Sequence, residues 1–204
     1  MSKDFSGYTD TALWQAFLQG DEDAFENIYN QYAPLLYNYG RHILKNRQMV
    51  EDCIHDLFVY LHQHRSTLGA TTSIKYYLFR SLRRRIAENI ATFGIYSEEP
   101  DTAEGYNFEI ISSPESQLID YQSALFQHEE LIKAMNLLPK RQREVLYLLY
   151  FNELTYKEVA SIMSLEMRTV YNQVHNALQT LKKHLSHSSI FHLITLLLLS
   201  SFIY

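Results

Sequence analysis

The sequence predicts an all-α protein: two small helical domains joined by an acidic linker, the second containing a helix-turn-helix. Three observations carry this. Apolar residues recur every three or four positions over long stretches, with only six Gly and four Pro in 204 residues, and no run alternates cleanly enough to read as a strand. The stretch YSEEPDTAEGYNFEIISSPESQLID, 96–120, holds seven acids and no base and interrupts the helical pattern with Pro100, Gly105 and Pro114. After it, LTYKEVASIMSLEMRTVYNQVHNALQTLKKHL, 154–185, contains two apolar-periodic runs split by Ser164-Leu165-Glu166. The expected layout is therefore a domain over 1–92, a linker over 93–120, a second domain over 121–186 and an apolar tail over 187–204.

A hydrophobic content of 47% is ample for two cores. The single cysteine, Cys53, excludes an internal disulfide, and the chain does not open on a basic-then-apolar leader, so a cytoplasmic protein is expected. The formal charge of -5 is unevenly placed: setting aside the seven acids of 96–120 leaves 18 bases against 16 acids. Between Arg65 and Glu88 stand six Lys or Arg against one acid. Such a patch suits a phosphate backbone, and equally a solvated helix face.

In the first domain, VEDCIHDLFVYLHQ places Val50, Ile54, Leu57, Phe58 and Leu61 on one helical stripe, leaving Asp52, His55, Asp56, Val59 and Gln63 outward or on its flank. The following helix has Ile74, Leu78, Leu82 and Ile86 inside, with Tyr76, Arg80, Arg83 and Arg84 turned away. Tyr77 and Phe79 read either as core packing or as surfaces for base stacking. In the second domain a helix follows Pro139, and Asn152-Glu153-Leu154 breaks it. Thr155 with Glu158 has capping-box spacing for a new helix through Met163. From Met167, Val170, Val174, Ala177, Leu178 and Leu181 gather on one side, leaving Arg168, Asn172, His175, Asn176 and Gln179 on the other. Asn and Arg can bond adenine and guanine edges bidentately, whereas a merely solvated face more commonly carries Glu and Lys. An ordinary helical hairpin stays open as the alternative.

No phosphate-cradling Gly loop, G-x-S-x-G elbow or HExxH occurs, so no catalytic residues and no cofactor are expected. Cys53 with His55, or His184 with His187, lacks metal-ligand spacing, so no metal site is expected either.

The stretch LPKRQREVLYLLYFNELTYKEVASIMSLEMRTVYNQVHNAL closely resembles the promoter-binding C-terminal domain of bacterial sigma-70 family factors, a pattern that LuxR-type regulators partly share. The first block separates the two, because GDEDAFENIYNQYAPLLYNYGRHIL, VEDCIHDLFVYL and YYLFRSLRRRIAENI resemble the other conserved domain of a sigma factor. Two such domains joined by a linker is the layout of the extracytoplasmic function (ECF) group, and the resemblance spans about residues 10–185.

The resemblance implies a specificity subunit that binds core RNA polymerase and promoter DNA and promotes strand opening. Asp52, His55 and Asp56 would dock on the clamp of the largest polymerase subunit. Tyr76, Arg80, Arg83 and Arg84 would hold the melted promoter element, and Arg168, Tyr171, Asn172, His175 and Asn176 would read the upstream element. The linker would occupy the polymerase's RNA channel, with a plain solvated spacer staying open as the alternative, and an anti-sigma protein is a further implied partner. Four residues depart from the family pattern: His55 for Gln, Arg84 for Asn, Ser164 for the Gly of the turn, and Glu166 for a small capping residue. At Ser164 a slightly altered turn is expected, without loss of the fold.

The tail IFHLITLLLLSSFIY carries no charge over fifteen residues, a helix of about 22 Å against a hydrocarbon layer of about 30 Å. It leaves three readings: packing on the chain's own domains or an anti-sigma partner, weak contact with a membrane surface when the factor is inhibited, or an unstructured end. A helical adaptor that does not initiate transcription is the rival for the whole chain.

Overall fold

The computed structural model describes residue 5 and residues 7–93, 106–111 and 130–184. The chain divides into two compact units, Met1–Tyr106 and Asn107–Tyr204. The described residues are helical, with extended or turn connections and no strand.

The first unit consists of α1 (Asp10–Leu18), α2 (Glu22–Ile43), α3 (Arg47–His64), a 3-10 turn (Arg65–Thr67) and α4 (Ile74–Phe93). Short polar residues start these helices by accepting orphan amides: Thr9 from Ala12 (3.3 Å), Asp21 from Ala24 (3.2 Å), Asn46 from Met49 (3.3 Å). Gly20, at φ 91°, ends α1: its own amide reaches Phe17 O and the Asp21 amide reaches Ala16 O. The chain can thus turn directly into α2. The predicted stripes on α3 and α4 are buried, joined by Trp14, Phe17, Ile28, Leu36 and Tyr39 from α1 and α2. At Gly40, a Cβ would lie 2.6 Å from Val50 Cγ1, so only glycine lets α2 approach α3 this closely.

Helix α1 reaches far along the chain. Trp14 Nε1 donates to Gly69 O (3.0 Å), fixing the connection before α4. One Asp10 oxygen accepts the Ile74 amide at the start of α4 (2.7 Å), and the other accepts the Tyr32 hydroxyl (3.3 Å). Burial, with the Asp10 charge behind it, pushes the Tyr32 hydroxyl well above its ordinary pKa.

The second unit begins with extended residues 107–111. Phe108 and Ile110 are buried, and Asn136 brackets Ile110 by donating to its carbonyl (3.0 Å) and accepting its amide (2.9 Å). A helix over 130–136, here α5, leads to Pro139 and α6 (Lys140–Leu146). Over Tyr147–Phe151 the same helix widens into a π turn. Asn152 Nδ2 closes it on Tyr147 O (3.2 Å), and Glu153 at φ 54° turns the chain out. Then come α7 (Tyr156–Ile162) and α8 (Met167–His184).

The predicted capping box is present in both halves: the Glu158 amide donates to Thr155 Oγ1 (3.2 Å) and the Thr155 amide to Glu158 Oε2 (2.8 Å). The turn between α7 and α8 corrects one expectation. It is not altered at Ser164: the Leu165 amide reaches Ala160 O (2.8 Å), and the Ser164 amide reaches Ser161 O (3.3 Å). That is the ordinary helix-ending geometry, with serine held at φ 54° in the left-handed region where glycine usually stands. Helix α7 packs against α8 and buries Val159, Ile162 and Met163, which leaves the turn little room to change, so the strain falls on the residue.

Candidate nucleic-acid and polymerase interfaces

On α8 the apolar stripe Val170, Val174, Ala177 and Leu181 is buried and Leu178 half-buried, so Arg168, Tyr171, Asn172, His175, Asn176 and Gln179 all stand exposed. The periodicity thus brings the five predicted readers onto one surface. Gln179 Nε2 lies 2.9 Å from His175 Nε2, within hydrogen-bond distance. Tyr171 stacks on Tyr156, the first residue of α7, with ring centroids 4.5 Å apart and planes at 17°. Lys182, Lys183 and His184 occupy the last turn, where positive charge complements the helix dipole.

The α4 surface is less uniform. Arg80 and Arg84 are exposed, whereas Tyr76 and Arg83 are half-buried. Arg80 donates to the Tyr76 hydroxyl (3.1 Å), which pairs an aromatic ring with a cation on one face. Arg84 forms an exposed ion pair with Glu88 (2.7 Å), and that hydrogen bond pushes its pKa up from the ordinary value. Arg83 donates to the Tyr106 hydroxyl (2.8 Å) and lies 5.5 Å over its ring. Phe79 goes to the core, fully buried against Tyr39, whereas Tyr77 is half-buried, tilted against Trp14 at 5.0 Å. Burial pushes the Tyr77 hydroxyl up.

A neighbouring cluster escaped the sequence reading. Tyr60, exposed on α3, stacks on His64 (4.2 Å, 22°), and Arg85 lies 5.2 Å from the Tyr60 ring. The i, i+4 spacing of Tyr60 and His64 was a signal that could have found it.

On α3, Asp52, His55 and Asp56 are all exposed, with Gln48 donating to Asp52 (2.9 Å). Beside them an open groove of about 350 Å³ runs between α2 and α3, lined by Tyr29, Ala33, Pro34, Tyr37, Ile54 and His55. Cys53, one residue from the acidic face, points inward and accepts from Asn89 Nδ2 (3.1 Å), and burial pushes its thiol up. Among the described residues no three His, Cys, Asp or Glu are placed to hold a metal, and no helix is long and apolar enough to cross a membrane. His187 and the apolar tail lie outside the described residues.

Two family descriptions match the chain, Sigma-70 region 2 over residues 28–92 and Sigma-70 region 4 over residues 128–181, together more than half of its length. Its relatives include the ECF RNA polymerase sigma factor SigW of Bacillus subtilis, 24% identical over 82% of this chain and 91% of that protein. The ECF sigma factor RpoE of Cereibacter sphaeroides is 22% identical over 87% and 98%. The chain belongs to the ECF group of the sigma-70 family. Sigma factors are regulatory subunits in transcription initiation, and each of the two matched regions of this one falls within one of its two helical units. Among solved structures, this sigma factor resembles CnrH, determined with the cytosolic domain of CnrY, at a TM-score of 0.55 and 16% identity over 85% of this chain and 95% of that one. RpoE of Bartonella quintana, determined with the anti-sigma factor NepR, gives a TM-score of 0.55 and 18% identity over 78% and 94%. At such identities the likeness is one of fold.

Proposed function

We propose that this chain binds core RNA polymerase, recognises promoter DNA through two elements and promotes strand opening, with no catalytic residues of its own. The observation that carries this reading is the exposed row of α8, where Arg168, Tyr171, Asn172, His175 and Asn176 share one surface behind a capped and tightly turned α7. A second helix presented in this way fits a major groove, and its amide and guanidinium groups suit base edges. On α4, Tyr76, Arg80, Arg83 and Arg84 bind the melted element through phosphate and ring contacts. On α3, Asp52, His55 and Asp56 dock on the polymerase clamp, and the acidic linker lies in the RNA channel. Two solved relatives were determined with bound protein partners, one of them an anti-sigma factor, which supports an inhibitory partner of that kind here. The site of action is the cytoplasm, and the apolar tail meets either that partner or, in the inhibited state, a membrane surface.

Run-off transcription with added core enzyme tests the whole reading, and promoter selection tests its specific part. Asn172→Ala should lose about 1 to 3 kcal/mol against the selected site and relax preference at one base pair, as expected for losing a bidentate contact. Holoenzymes carrying Asn172→Ala or His175→Ala that select the same promoters as wild type would reduce the row to a solvated face.

A further inference from the structure

Most of the α8 row is hydrogen-bonding chemistry, but Tyr171 adds a large aromatic ring to it. It is 51% exposed, among the largest apolar surfaces left open in the second unit, and sits at one edge of the reading face, next to His175 and Arg168. An exposed tyrosine normally samples several rotamers. Here the ring is fixed by its near-parallel stack on Tyr156, 4.5 Å away. Tyr156 is itself half-buried and is the first residue of α7, directly behind the Thr155–Glu158 capping box.

The arrangement is a pair of rings, Tyr156 at the start of α7 and Tyr171 on the reading surface. One face of Tyr171 is covered by Tyr156, leaving its edge and second face to meet DNA. On the floor of the major groove the apolar feature is the C5-methyl group of thymine. Resting on the promoter-reading role of α8, we propose that Tyr171 reads a thymine methyl group, and that Tyr156 is the positioning residue that sets its ring.

The test uses the full chain with core polymerase and duplexes enriched by wild-type holoenzyme from a randomised library. Each thymine of the enriched upstream element is replaced in turn by uracil, which removes only the methyl group. Wild type should lose about fourfold in affinity at one position, the worth of one buried methyl-sized group. Tyr171→Ala should bind thymine and uracil equally there while still discriminating at the Asn172 base pair. Tyr156→Leu should reduce the thymine preference, and Tyr156→Phe, which keeps the stack, should restore most of it. A thermal melt of each variant separates this from unfolding, and because Tyr171 is exposed, its alanine variant remains informative if Tyr156→Leu does not fold.

Indifference of wild type to every uracil replacement overturns the inference. So does a Tyr171→Phe variant that loses affinity equally for all sequences with a shallower salt dependence, because the hydroxyl would then be contacting phosphate. In either case Asn172→Ala still reports on promoter reading as such. If it too leaves base preference unchanged, or if nothing is enriched from the library, the proposed function falls and this inference with it.

Discussion

Ser164 shows how much one residue can absorb on behalf of a motif. Its φ of 54° lies where the Cβ of an L-residue is crowded, at a cost of about 1 to 2 kcal/mol, yet both hydrogen bonds that close the turn are made. Removing the Cβ should recover part of that cost. Ser164→Gly is expected to raise stability by about 1 kcal/mol. The melting temperature should rise by about 4 to 8 °C if the second unit unfolds as a small domain, measured by circular dichroism. An unchanged melting temperature would mean that the serine hydroxyl compensates the strain. The opposite case is Gly40, where an added methyl would meet Val50 at 2.6 Å and should destabilise by about 1 to 3 kcal/mol. The position of Ser164 in the turn was legible in the sequence, but the sign of its φ was not. That sign depends on where α8 must begin, which is set by the packing of two helices. Arg83 teaches the same lesson: its outward position on α4 follows from periodicity, whereas its bond to Tyr106, 23 residues on, does not.

Among the elements, α3 divides most sharply into an apolar and a polar side. Val50, Cys53, Ile54, Leu57, Phe58 and Leu61 are buried, while Asp52, His55 and Asp56 are exposed. Because the acids carry none of the packing, replacing Asp52 and Asp56 by Lys should leave helical content unchanged while abolishing co-purification with core polymerase. Retained co-purification would move the docking surface elsewhere, with the adjoining groove between α2 and α3 the first place to look. The stripes of α3, α4 and α8 were readable because a 3.6-residue period records burial directly. The capping box was readable because its two halves lie three residues apart. What escaped depends on distance or on backbone choice. The Asp10 carboxylate caps α4 from 64 residues away, and Trp14 pins the connection before it. The π widening after Leu146 leaves no mark in an apolar run that suits an α-helix equally well. Tyr76, Tyr77 and Phe79 are three consecutive or near-consecutive aromatics, and helical geometry buries only Phe79 fully, leaving Tyr76 half-buried with its hydroxyl on Arg80 and Tyr77 half-buried against Trp14.

The whole molecule is a charge-segregated chain. Its acids concentrate in 96–120, which leaves the remainder with 18 bases against 16 acids despite a formal total of -5. Of those seven acids Glu109 is described, exposed beside the buried Phe108 and Ile110; the other six lie outside the described residues. A segment that only spans two domains has no need of a single sign of charge, whereas one that occupies a channel built for RNA gains from imitating it. Replacing the seven acids by their amides removes that charge at nearly constant size. The neutralised chain should bind core polymerase more weakly than wild type in titrations at low ionic strength, and the difference should shrink as salt is raised from about 0.05 to 0.5 M, where screening acts over only a few ångströms. Abortive transcript lengths should shift in the same variant, because the segment would resist the growing RNA less. Free of its acids, the chain should also bind non-specific DNA more tightly, with affinity falling steeply with salt as released counterions require. Tighter DNA binding without weaker polymerase binding would assign the acids a narrower role: keeping two basic surfaces from wandering onto DNA before the polymerase is present.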